Sequence, residues 1–345
     1  MAHNLGAHFG CMEPRNVRWA HAVNSSQALA DALADGTIHM IEADVMLRVP
    51  QESSPAAAAA WRRAGSDVVA GLDRDVTVRD VIMCHPPAVD SDLSFDAFFK
   101  QVFLAVKGGR KIGLKLDFKH ANAVPLVLRV LRDSQVGCHP HWYKGAHSAT
   151  RTMPLWLNAD VIKGPGGREP IPGETFVKQC VFFCPTATLS LGWTHSGTPW
   201  LGYTGLQIKQ MCELVENVKT HVTFAMSAAH LFATRGRVRN ETLAMMRDAK
   251  GVEEIETEDA VPKIPSLPTS PTKNGWPLEG SFEPIAVPNA SARTITLWGP
   301  ATSGVRRWVF RNCPANLTFL DVKECNALES AVVGAHVWAR PRSWC

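Results

Sequence analysis

Two carboxylates stand two residues apart in an otherwise apolar stretch, Met40-Ile41-Glu42-Ala43-Asp44-Val45-Met46. In a strand, residues i and i+2 share a face, so Glu42 and Asp44 are expected to point the same way. Like charges that close repel unless something cationic sits between them. A divalent metal is the natural partner, since hard cations take oxygen ligands. Ile38, Met40, Ile41, Val45 and Leu47 flank the acids and argue for a strand buried on both faces over a solvated edge. A third carboxylate, Asp117, lies in a run where Lys115, Asp117 and Lys119 alternate with Leu114, Leu116 and Phe118.

Around these acids the chain offers His21 at the end of a first apolar stretch, and His85 just before Pro86-Pro87. Asn158 with Asp160 and Trp193 stand in two later apolar runs. Three carboxylates can hold a divalent cation, Mg²⁺ or Ca²⁺, through oxygen. Two histidines can serve as base and acid, and a lysine beside the metal can hold an anionic oxygen. This suits displacement at a phosphodiester with the metal as Lewis acid. The candidate set is therefore His21 and His85 for catalysis, Glu42, Asp44 and Asp117 for the metal, and Lys115, Lys119, Asn158 and Trp193 for substrate. Each member also has a plainer reading. His21 suits a hydrogen-bonded core position, and His85 a loop before prolines. The lysines and Asp117 suit a solvated face with mutual ion pairs. Trp156 and Trp193 suit a core.

Eight strands must position these residues, beginning near Val17, Ile38, Lys111, Met153, Ala187, His221, Arg293 and Leu317. Amphipathic stretches separate most of them: Gln27–Leu33 capped by Ser26, Ser94–Val106, Ala121–Asp133, Glu174–Phe183, Gly205–Val218 and Asn240–Ala249. A further short apolar run, Asp80–Cys84, is stopped by the prolines after His85. Eight β/α repeats in one chain predict a (β/α)8 TIM barrel, whose sites lie at the C-terminal strand ends. The polar residues cluster at those ends. The expected organisation is an extension over 1–16, one barrel over 17–322 and an irregular tail over 323–345. An alanine-rich insert over 50–75 and a Pro/Ser/Thr-rich insert over 262–288 interrupt the barrel.

The 345 residues, 46% hydrophobic, are enough for a sizeable core, and a net charge of +4 is weak for this length. No basic run with interleaved aromatics points to nucleic acid. No apolar run reaches the roughly 18 residues of a transmembrane segment, and the first residues hold no apolar stretch of the kind a signal peptide needs. As written, the chain reads as cytoplasmic. The nine cysteines are scattered and show no CxxC pair, so mostly buried thiols are expected.

Six motifs in order carry a resemblance. They are Trp19-Ala20-His21-Ala22-Val23-Asn24-Ser25, Met40 to Val45, His85-Pro86-Pro87, and Lys115-Leu116-Asp117-Phe118-Lys119. Trp156-Leu157-Asn158-Ala159-Asp160 with Gly164-Pro165-Gly166, and Thr188 to Trp193, complete the set. Together they resemble the menorin family, also called family with sequence similarity 151. More distantly, the order His, Glu-x-Asp, His, acid is similar to glycerophosphodiester phosphodiesterases and spider-venom phospholipase D toxins. Those are TIM barrels of the PLC-like phosphodiesterase type with one divalent cation. The resemblance implies that His21 and His85 are the catalytic histidines, that Glu42, Asp44 and Asp117 are metal ligands, and that Lys119 binds the substrate phosphate. It implies a small phosphodiester or lysophospholipid as substrate. Some menorin relatives are secreted and act in extracellular adhesion complexes, which implies protein partners instead. The enzymes follow their first histidine with Arg-Gly, whereas Ala22-Val23 stands here. Two readings therefore remain open: a metal-dependent phosphodiesterase, and a non-catalytic binding or adhesion protein on an enzyme-derived barrel.

Overall fold

The apolar runs of the sequence become strands, and their order in the sheet follows their order in the chain. The computed structural model describes residues 5–11, 14–48, 76–137, 153–195, 201–234, 293–301 and 318–324. Within these the strands are β1 (Trp19–Ala20), β2 (Met40–Leu47), β3 (Val81–Met83), β4 (Gly113–Phe118), β5 (Leu155–Lys163), β6 (Thr188–Thr194), β7 (Val222–Ser227), β8 (Arg293–Ala301) and β9 (Thr318–Glu324). The sheet order is β1-β2-β4-β5-β6-β7-β8-β9, with every neighbouring pair parallel. All eight expected strands are on this path. β9 lies against the Pro14–Asn16 turn that leads into β1, so the sheet curls round on itself. The short run after Asp80 is β3, which pairs antiparallel with the far end of β2, Val45 to Leu47.

The helices are α1 (Leu5–Phe9), α2 (Ser26–Ala34), α3 (Phe95–Lys107), α4 (Ala123–Asp133), α5 (Gly173–Phe183), α6 (Gly205–Val215) and α7 (Ala228–Ala233). Ser25, one residue before the expected Ser26, caps α2 by accepting from Ala28 N–H. Ser94 caps α3 in the same way, and Thr204 with Gln207 forms a capping box on α6. Among the described residues no helix is long and apolar enough to cross a membrane. The inserts expected over 50–75 and 262–288, the helix expected over 240–249 and the tail beyond Glu324 lie outside the described residues. Cys11, Cys84 and Cys180 are free thiols, the last two buried.

Alternation splits each strand between two environments. From β2, Ile41, Ala43, Val45 and Leu47 join the apolar residues of β4 and β5 and the inner faces of α3, α4 and α5 in one core. The opposite face of β2 carries Met40, Glu42, Asp44 and Met46. At its lower end Met40 and Trp156 pack with Leu5 of α1 and Val17 into a separate apolar plug. Above this plug the face turns polar, row by row. Glu42 is in register with Lys115, which is in register with Trp156. Asp44 is in register with Asp117, then Asn158, Ser190 and Thr223. The β/α repeat thus places the polar residues together on the side the C-terminal strand ends open to.

The lowest row leaves no spare room. A Cβ on Gly113, which pairs with Met40, would stand 2.3 Å from Met40 Sδ, 2.9 Å from Pro154 Cβ and 3.0 Å from the Pro154 carbonyl. The methionine can swing, but the proline backbone cannot. Gly113→Ala is expected to destabilise the fold by about 1–3 kcal/mol through overpacking, read as a lowered midpoint of urea unfolding. An unchanged midpoint would show that β4 can shift outward.

Candidate metal centre

β1 is shorter than its sequence suggests, and the reason lies at the site. Ala22 adopts φ 54°, in the left-handed region that non-glycine residues seldom occupy. The chain therefore turns after His21 instead of continuing beside β2. This turn aims the Ala22 N–H at Glu42 Oε2, 2.7 Å away, and His21 Nδ1 sits 3.1 Å from the same oxygen. Val23 N–H then bonds the Glu42 carbonyl at 2.9 Å, and Cys84 N–H bonds the Asp44 carbonyl at 2.9 Å. Loop backbone thus completes the edge of β2 between its pairings with β1 and β3.

Asn24 holds the second acid from both ends. Its Nδ2 donates to Asp44 Oδ2 at 2.6 Å, and its Oδ1 accepts from the Asp44 N–H at 2.9 Å. Lys119 Nζ reaches Asp44 Oδ1 at 3.0 Å and Asp117 Oδ2 at 2.7 Å. Among the described residues Glu42 Oε1 and Asp117 Oδ1 accept no hydrogen bond. One carboxylate oxygen from each of Glu42, Asp44 and Asp117 lies within 4.8 Å of the others. Glu42 and Asp44 are buried and Asp117 is partly buried. Three hard oxygen donors converging out of bulk water can hold a metal ion.

Electrostatics reflect the crowding. Burial raises the Glu42 pKa, and Asp44 and Asp117 add to this while His21 and Lys115 oppose it. Burial also raises Asp160 to about 6, against the pull of Lys119, Arg168 and Lys115. For Asp44 burial acts upward too, but Lys119, His85 and the hydrogen bonds from Asn24 and Lys119 outweigh it, holding the carboxyl at about 2. Lys119 loses solvation on burial, yet Asp117, Asp44 and Asp160 raise its pKa above the ordinary lysine value. His85 is exposed by surface area, but protein atoms crowd it, and the lost solvation lowers its pKa despite Asp44 and Asp117.

The structure brings together His21, Glu42, Asp44, His85, Asp117 and Lys119. The antiparallel return of β3 explains how His85, distant in sequence, arrives beside Asp44. Asn158 shares the row of Asp44 and Asp117 and accepts from Ser190 Oγ at 2.6 Å. Lys115 is buried in the row of Glu42. Trp193 corrects the expectation for substrate binding. Gly192 faces Asp160, so alternation turns Trp193 to the helix layer. There it packs on Tyr203 and Phe224, and its Nε1 donates to the Gln207 carbonyl at 3.0 Å. The sequence puts Asp160 in the polar cluster without a role and gives none to Asn24. Asn24 stands three residues after His21 in a turn, where an Asx side chain commonly binds nearby polar groups.

A depressed folded pKa on Asp44, below the ordinary 3.8, has a defined sign. Its pairing stabilises the fold fully above the ordinary carboxylate range and is lost as pH falls from about 4 towards 2. Without added divalent cation, Asp44→Asn is expected to cost about 2 kcal/mol near pH 6. The difference from the unaltered protein should shrink in acid, read by urea unfolding at several pH values. A difference that held constant or grew below pH 4 would contradict this account of Asp44.

A family model described as the Menorin N-terminal domain matches residues 14–60 and 65–245, and so contains every residue of the cluster. The human protein FAM151B is 30% identical over 217 residues, which cover 62% of this chain and 63% of that protein. The match thus spans less than two thirds of that relative. No solved structure matches the chain.

Proposed function

The chain belongs to the menorin family, and on that premise we propose that it is a divalent-cation-dependent hydrolase of small phosphodiesters or lysophospholipids. Its fold would be a TIM barrel of the PLC-like phosphodiesterase type over 17–322, with the segments 50–75 and 262–288 as excursions. One observation carries the reading: Glu42, Asp44 and Asp117 converge, with one oxygen from each within 4.8 Å of the others. A bound Mg²⁺ or Ca²⁺ would supply Lewis-acid polarisation of a phosphoryl oxygen.

The surrounding residues divide the remaining work. Ala22 N–H and His21 occupy Glu42 Oε2, which orients the carboxylate and keeps Oε1 for a cation. Asn24 does the same for Asp44. A neutral His21 donating Nδ1–H to Glu42 carries its lone pair on Nε2 and can take a proton there. His85 stands by Asp44 instead, so two proton-transfer groups are held at different carboxylates. One can accept the nucleophile's proton and the other can protonate the leaving oxygen.

A second reading has its own support. Lys119 already bridges Asp44 and Asp117, and so supplies counter-charge without any metal. Ala22-Val23 also stands where the enzymes carry Arg-Gly. On this reading the chain is a binding or adhesion-complex protein that keeps the acids as a folded ion-pair network, with extracellular proteins as its partners.

Thermal unfolding with Mg²⁺ or Ca²⁺ and an activity screen over glycerophosphodiesters and lysophospholipids separate the two. The hydrolase reading expects a metal-dependent rise in melting temperature that Asp44→Ala abolishes. His21→Ala should keep that rise and lower turnover by roughly 10²–10⁴-fold. A rise that survives Asp44→Ala would remove the metal site. Metal binding without cleavage of any phosphodiester would leave the binding-protein reading.

A further inference from the structure

Two lysines on the same face of β4 and its extension have opposite surroundings. Lys119 bridges two carboxylates. Lys115 is only 3% exposed, yet among the described residues it makes no ion pair and no hydrogen bond. Its one specific contact is the Trp19 ring, with Nζ 6.0 Å from the centroid. Among the described residues, those packed beside and beneath it, Trp156, Met40, Val17 and Leu5, are apolar and offer it no counter-ion.

Its row belongs to the polar face: Lys115 is in register with Glu42 and stands two residues before Asp117 on β4. It is ion-paired to neither. A cationic donor so placed suits an anionic oxygen brought in from outside. Lys119 is already engaged: two carboxylates take two of the three N–H donors of its ammonium.

We propose that Lys115 binds the anionic oxygens of the phosphate group at this site, while Lys119 fixes Asp44 and Asp117. The assignment rests on the phosphodiester reading above and adds a second cation to the one that the family resemblance implies at Lys119. It makes Lys115 a determinant of anion recognition, set beneath the candidate metal ligands. The ligand class it takes is a phosphate mono- or diester whose non-bridging oxygens reach past the carboxylates.

The test is a titration of inorganic phosphate against melting temperature, with and without Mg²⁺, on the full chain. Phosphate is expected to raise the melting temperature of the unaltered protein. Lys115→Met should weaken the apparent phosphate affinity at least about tenfold and leave any Mg²⁺-induced rise in place. Should Lys115→Met fail to fold, Lys115→Gln carries the same test. A purely structural lysine would change the starting melting temperature without changing the response to phosphate. The proposal is overturned if the unaltered protein gives no phosphate response, or if the variant responds as the unaltered protein does. Failure of the hydrolase reading looks different: phosphate would still bind, and no phosphodiester would be cleaved.

Discussion

Mutual repulsion among Glu42, Asp44 and Asp117 is the constraint on which the arrangement turns. Three carboxylates with converging oxygens, two of them buried, cannot all stay ionised without compensation. The chain answers with directed donors. Lys119 bridges two of the acids, Asn24 clasps Asp44, and the Ala22 N–H with His21 engages Glu42. Each answer has a backbone consequence. The Ala22 donor needs a left-handed turn, which ends β1 after two residues. Closing the β2 edge beyond that turn needs β3 to come back antiparallel, and that return delivers His85.

Most of the architecture was legible because the strands alternate or run apolar, and the intervening stretches have helical period. β4 is the clearest case. Leu114, Leu116 and Phe118 fall in the core between sheet and helices, while Lys115 and Asp117 fall on the polar face. Parallel register then forces Asp44 beside Asp117, so two strands read separately gave a shared row. Trp193 follows the same alternation: Gly192 faces Asp160, so the tryptophan falls with Leu189 and Leu191 in the core between sheet and helices.

Backbone donors stayed out of sight for a different reason. Every residue except proline carries an N–H, so sequence cannot mark Ala22 as the one aimed at Glu42. Asn24 was visible as a residue but not as a clasp, because its partner lies twenty positions away. His85 is separated from Asp44 in the chain by the alanine-rich segment, and only a short antiparallel pairing reunites them. Local pattern finds the acids. The contacts that tune them are long-range and depend on turns.

Lys119 need not exclude a cation from the acids it bridges. Each carboxylate oxygen has two lone-pair directions, and Glu42 Oε1 and Asp117 Oδ1 accept nothing else among the described residues. An ammonium on the flank of Asp44 and Asp117 can therefore share them with a metal ion on the open side. Charge points the same way. Glu42, Asp44 and Asp117 face Lys115 and Lys119, with His21 beside Glu42 and Arg168 acting on Asp160. Burial is the main cause that raises Glu42 and Asp160, and neighbouring acids add to it. A divalent ion would favour the ionised form of both. Lys115, ion-paired to no acid among the described residues, would then be a cation left to meet an anionic ligand.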